Sequence, residues 1–126
     1  MDGVICTTVD NYGRFEVFSK ARYLVLVRDG SVIYEELNPA LKSANKRPVV
    51  ARRCVELGAR AVLAPHGSLC FPSYLILKRA GVSMYVVRPG CSINGNSIRE
   101  SVNPGEIIYS SLLAVIERIR EVLGHE

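Results

Sequence analysis

The chain lacks any C-x-x-C pair: its four cysteines, Cys6, Cys54, Cys70 and Cys91, are scattered along 126 residues. That spacing excludes zinc-ribbon and zinc-finger sites, whose ligands come in close pairs. Four cysteines allow two disulfides by three connectivities, but a domain of this size buries a core of its own and needs none. Long apolar runs are also missing. "YLVLV" (23–27) and "YLILK" (74–78) are far too short to span a bilayer, so no membrane association is expected. No basic, apolar, small-residue leader is visible, which sets the expectation of a cytoplasmic protein. Charge of one sign is scarce too: 16 Lys and Arg against 12 Asp and Glu leave a net +4. The arginines are dispersed, from Arg47, Arg52 and Arg53 to Arg118 and Arg120, and mix with Glu56, Glu117 and Glu121. This is the pattern of solvated helix faces with local ion pairs, so no nucleic-acid partner is expected.

What is present describes a folded protein. Hydrophobic residues make up 48% and charged residues 22% of the chain, as in a single globular domain over 1–126. "GVICTTVD" (3–10) is β-branched and reads as a strand, with turn residues in "NYG" (11–13). In "RYLVLVRDGSVIYEEL" (22–37) two β-rich runs flank Asp29-Gly30, the signature of a tight hairpin. After a loop at 38–45 the apolar period becomes helical, with Pro48 in the first turn and Gly58 as the stop. A buried strand "ARAVLA" (59–64), a helix from Pro72 to Gly81 and a strand "VSMYVV" (82–87) follow. "GCSINGNSIRESVNPGE" (90–106) has no period and reads as a loop. The last helix, 106–124, carries the apolar stripe Ile108, Leu112, Val115, Ile116, Ile119, Val122 and Leu123, expected to face the core, led in by Asn103-Pro104-Gly105-Glu106.

This order of elements predicts an α/β fold. A hairpin followed by two right-handed β-α-β crossovers gives a mixed five-stranded sheet with helices on both faces, in the order 3-2-1-4-5 if strand 4 returns beside strand 1. That is a ribonuclease-H-like three-layer arrangement.

In an open sheet of this kind, ligands sit beyond the carboxyl ends of the parallel strands, where the chain order diverges. Thr8, Asp10 and Asn11 after strand 1, and Pro65 to Cys70 after strand 4, fall at that crevice, with Lys20 on the way to strand 2. The turn "LAPHGSLCFPSY" (63–74) supplies His66, Gly67, Ser68 and Cys70. Imidazole and thiolate bind soft and borderline metals, and a thiol near a helix N-terminus ionises more easily. His66 and Cys70 are therefore candidate metal or cluster contacts, and Cys91 joins them if the 90–105 loop folds back. A bland reading stands beside this one: a Gly-Ser turn with one histidine, and a free cysteine acting as a small hydrophobe. Cys6, within strand 1, and Cys54, on the helical apolar stripe, read as core. His125, next to the end, has no assigned role.

Three segments resemble the dinitrogenase iron–molybdenum-cofactor biosynthesis domain, also found at the C-terminus of the nitrogenase cofactor-assembly radical enzyme. "VFSKARYLVLV" (17–27) is similar to the family's H-F-G-R-A-x-Y/F-F-x-I-V segment. "VVARRCVELGARAVLA" (49–64) is similar to its helix and following L-x-x-x-G-V/A-D-V-V-I-A. "HGSLCFPSYLILKRAGVSMYVV" (66–87) is similar to its G-x-I-G-P-x-A…L-K-x-A-G-I-x-V-Y. The likeness covers about residues 4 to 87; residues 88–126 extend past it. Val17 stands where the family has His, Ser19 and Cys70 where it has Gly, and Phe71 where it has Pro. The resemblance implies a non-enzymatic binder or carrier of an iron–sulfur or molybdenum-containing cluster or its precursor. Its partners would be metallocofactor-assembly or client proteins.

Other chemistries fit less well. A two-metal nuclease needs clustered carboxylates; Asp10, Glu35 and Glu36 are available, but no acid follows strand 4. A Cys70–His66 dyad has no third, orienting group. The alternative to a carrier is a metal-free interaction module of the same fold, in which the last helix, with Tyr109 outside its stripe, forms a homodimer or partner surface.

Overall fold

The computed structural model describes residues 3–95 and 99–124. The strands are β1 (Ile5–Val9), β2 (Tyr23–Arg28), β3 (Ser31–Leu37), β4 (Ala61–Pro65), β5 (Ser83–Val87) and β6 (Glu100–Ser101). The helices are α1 (Lys46–Glu56), α2 (Phe71–Arg79) and α3 (Pro104–Leu123), with a short 3₁₀ turn at Pro39–Lys42 inside the expected 38–45 loop. They form a mixed α/β fold on one sheet, in the order β3-β2-β1-β4-β5-β6. β1 runs parallel to β4 and β4 to β5; β1–β2, β2–β3 and β5–β6 are antiparallel. The expected 3-2-1-4-5 order is present, extended by a sixth strand. Glu100 and Ser101 pair with Val86 and Tyr85 inside what the sequence presents as a loop. Two residues are too few to show a period, and the open edge of β5 supplies their partners. Asn96, Ser97 and Ile98 of that loop, and His125, lie outside the described residues.

The hairpin turns at Asp29 and Gly30, both at positive φ (51° and 79°), the geometry that suits the twist of the flanking strands. Strand side chains alternate between two apolar clusters. Cys6, Leu24, Leu26, Val62 and Ala64 face α1 and α2 and pack with Val50, Ala51, Cys54 and Leu77. Val9, Val25, Leu63 and Val87 point the other way, onto Phe15, Cys91 and Ile93 from the loops. β3, at the sheet edge, is exposed along most of its length.

Two expectations are corrected. Cys6 and Cys54 are fully buried as expected, but they are joined as a disulfide between β1 and α1. Their place in the core comes from alternation in β1 and the inner face of α1; their facing each other is a product of how the helix docks. The second correction concerns α3. The apolar stripe from Ile108 to Leu123 is not core: its seven members are 43–68% exposed. The buried residues of α3 are Glu106 and Ser110, with Leu113 and Glu117 half-buried below them. Amphipathic period shows that a helix has an apolar face, not which face meets the body. Here the body offers α3 polar partners, so its polar face turns inward.

Candidate functional site

The site is assembled around the turn that follows β4. β4 ends at Pro65, and the His66 N–H donates to the Val87 carbonyl of β5 (2.9 Å), so the turn starts flush with two parallel strands. Gly67 has φ +96°, a conformation that disfavours a side chain. A Cβ there would also sit 3.0 Å from Leu113 Cδ1 of α3. Ser68 is fully buried and its Oγ accepts from the Phe18 N–H (3.0 Å), tying the turn to the β1–β2 connection.

α3 enters from the far edge of the sheet with its first turn aimed at this loop. Asn103 caps it, its side chain accepting from the Glu106 N–H (2.9 Å). Glu106 then reaches outward from the helix into the loop. Its Oε2 accepts from the Gly67 N–H (2.7 Å) and from Ser110 Oγ (3.1 Å). Its Oε1 lies 2.5 Å from Nδ1 of His66. In a neutral ring, donation from Nδ1 to Oε1 would put the lone pair on Nε2, which has no partner among the described residues. The imidazole stacks on Tyr109 with centroids 4.4 Å apart and planes 5° from parallel. Glu106 is nearly buried, whereas the His66 side chain is 49% exposed. A ring held by a carboxylate at one nitrogen and by stacking on its face, with the other nitrogen unpartnered among the described residues, is the arrangement of a metal-ligating or proton-accepting histidine.

A second tether lies about three helical turns further along. Arg47, in the first turn of α1, is 97% buried (3% exposed), against the expectation of solvated arginines. Its Nε donates to the Gly67 carbonyl (2.8 Å), and its Nη1 and Nη2 donate to Glu117 Oε1 and Oε2 (2.8 and 3.0 Å). Burial alone pushes the Glu117 carboxyl up; the hydrogen bonds and charge of Arg47, with Lys20 nearby, outweigh it and hold the group below its ordinary value. Both polar groups of the Gly67 backbone are thus used, the N–H by Glu106 of α3 and the carbonyl by Arg47 of α1.

Cys70 is buried at the N-cap of α2, its Sγ 3.1 Å from Ser73 Oγ. A cavity of about 250 Å³ lies beside it, walled by Lys46, Arg47, Pro72, Glu117 and Arg118; His66 is not in its wall. Cys91 packs with Val9 and Phe15 on the other side of the sheet and is a free thiol, as is Cys70. Thr8 is buried and donates to the Glu16 carbonyl (2.7 Å). Asp10 accepts from the Tyr12 and Arg14 N–H groups and from Arg14 Nε. Those bonds overcome partial desolvation and hold its carboxyl below the ordinary value. Asn11 and Lys20 are exposed, Asn11 beside a cavity of about 230 Å³ that Asp10 also lines. Glu36, on β3, is committed to Arg53 of α1 at 2.8 and 2.9 Å. Among the described residues, no three His, Cys, Asp or Glu side chains converge as a metal cage.

Sequence reading did not assign Glu106, Tyr109, Ser110, Arg47 and Glu117 to the site. Glu106 was visible only as an acid in a first helical turn. A signal existed in α3: Glu106, Ser110, Leu113 and Glu117 recur at spacings of four and three, a mostly polar stripe opposite the apolar one. Without the docking geometry it reads as the solvent side.

No protein-family model and no curated protein matches the sequence. Among solved structures, the fold is similar to the apo form of the orange protein (ORP) from Desulfovibrio gigas. The TM-score is 0.58 at 17% identity, over 73% of this chain and 81% of that one.

Proposed function

We propose that this protein is a non-enzymatic carrier of an iron–sulfur or molybdenum-containing cluster, or of its precursor, in metallocofactor assembly. The observation that carries the reading is His66: a half-exposed imidazole with Nδ1 tied to buried Glu106, its face on Tyr109 and, among the described residues, no partner on Nε2. Carboxylate support of this kind orients a histidine toward a metal and makes it a better donor. The described residues provide no cage of three donors, which suits a cargo that arrives with ligands of its own rather than a bare ion. The resemblance of residues 4–87 to the cofactor-biosynthesis family points the same way. So does the shared fold with a protein that has an apo form. Cys70 is a weaker contact in this reading, since its thiol is buried against Ser73. Assembly or client proteins would receive the cargo.

Anaerobic incubation of the protein with iron, sulfide and molybdate tests this directly. The expected result is visible absorbance that co-elutes with the protein, sharply reduced in His66→Ala and altered in Glu106→Gln. A colourless, metal-free product from the unaltered chain overturns the carrier reading and leaves the metal-free interaction module.

A further inference from the structure

We infer that α3 is a dimerisation helix, and that two copies of the chain pair through it in antiparallel fashion about Val115. The exposed face of the helix points to it. Ile108, Leu112, Val115, Ile119 and Val122 recur at spacings of four, three, four and three. This seven-residue repeat lines all five up on one face of the helix, the arrangement of a helix–helix seam. All five are 52–68% exposed, and Tyr109, Ile116 and Leu123 border them at 43–60%. The stripe that holds α3 to its own body, Glu106 to Glu117, lies on the other side of the helix, so the seam faces away from that contact.

The occupant follows from self-complementarity and area. Half-exposed Ile, Leu and Val side chains of this number present on the order of 500 Å² of apolar surface. That is at the upper end for a monomer's largest patch. With a polar rim it approaches the roughly 800 Å² per partner of a specific interface. A seam that matches itself under two-fold rotation makes a closed pair and not a fibre. In the antiparallel register Ile108 faces the partner's Val122, Leu112 faces the partner's Ile119, and Val115 faces its own copy, so every seam position is used. Arg118 then lies across from the partner's Ser111, and no like charges oppose each other. The helix dipoles run in opposite senses, which is favourable.

The direction is chosen by the last two turns. Arg118 to Leu123 is exposed on every side, and a helix end of that length is not stable by propensity alone. Antiparallel pairing lays it over the partner's first turns, which are backed by the partner's body. Parallel pairing would join the two unsupported ends only to each other. In the antiparallel dimer the partner's Leu123 comes beside Tyr109, and so beside the ring stacked on His66.

Sedimentation of the full-length chain through a dilution series is the test. A mass of twice 13.9 kDa is expected, dissociating on dilution. Ile119→Glu and Val115→Glu, at exposed positions, should weaken the dimer more than about 100-fold with unchanged circular dichroism. In a Cys91→Ser background, Ile108→Cys should cross-link to Val122→Cys in a mixture and not to itself. A monomer throughout, a monomer that binds lipid vesicles instead, a dimer indifferent to both glutamates, or self-cross-linking of Ile108→Cys overturns the proposal. None of these outcomes depends on whether a cluster binds.

Discussion

Arg47 and Glu117, seventy residues apart, meet through two parallel hydrogen bonds of 2.8 and 3.0 Å, and the same guanidinium holds the Gly67 carbonyl. One buried cation thus fastens α1 to α3 and fixes the turn that carries His66. Removing it leaves a carboxylate that is only 23% exposed without its counter-charge. Arg47→Met should lower stability by about 3–5 kcal/mol, the range for breaking one side of a buried pair. Arg47→Met with Glu117→Leu should recover much of that loss. Urea midpoints of the three proteins check both statements.

The same pair sets a pH dependence. Glu117 is held below its ordinary value of 4.5, despite the opposing effect of burial, and Glu36 is lowered chiefly by its hydrogen bonds to Arg53. In the unfolded chain these acids take up protons sooner as the pH falls, so proton uptake favours unfolding. Their contribution is complete above about 4.5 and is lost as the pH drops through their lowered folded values. Denaturant midpoints measured from pH 7 to pH 3 should fall in that acid window. The fall should be shallower in the Arg47→Met, Glu117→Leu double variant.

Glu106→Gln tests the orientation of His66. The amide keeps one acceptor but not both, so either the Gly67 N–H or the imidazole Nδ1 loses its carboxylate partner. Stability should fall by about 1–3 kcal/mol, the cost of an unsatisfied buried group. Nitrogen-15 shifts of His66 should report a single Nδ1–H tautomer in the unaltered protein and a mixture in the variant. A single tautomer in both would show that Glu106 does not set it.

Gly67→Ala tests how α3 is seated. The residue is at φ +96° and its new methyl would press on Leu113 at 3.0 Å. A loss of more than about 1 kcal/mol is expected, because strain and contact add. Leu113→Ala in the same chain should relieve the contact part and not the backbone part, so the double variant should be more stable than the two single losses sum to.

The thiols give a chemical check. Under non-reducing, denaturing conditions two free thiols, Cys70 and Cys91, should react, since Cys6 and Cys54 are paired. Reduction should cost about 2–4 kcal/mol of stability, as expected for a cross-link closing a loop of this length. Four reactive thiols without reductant would show that the pair does not form.

Most of the fold was legible because its signals are local. Asp29-Gly30 between β-branched runs makes a hairpin wherever it occurs, and the alternation of Cys6, Leu24 and Val62 against Val9, Val25 and Leu63 needs only the two-residue period of a strand. The strand order then needs only that β4 returns beside β1, as it does. β6 was not legible, since two residues paired to an open edge carry no period. The site was legible in part. His66 and Ser68 could be placed at the end of β4 from topology alone, but Glu106, forty residues away, is joined to His66 only by docking.

The apolar and polar stripes of α3, the turn at His66 and the positions of the four cysteines are properties of the sequence by itself, because each depends on residue type and spacing along one element. Tertiary structure decided which stripe of α3 faces inward, that Arg47 is buried rather than solvated, and that Cys6 meets Cys54. The reason is common to all three. Periodicity describes a face, whereas burial depends on what the facing element offers. Here the body offers a guanidinium and a free N–H of Gly67, and those select the acids of α3 over its leucines and isoleucines.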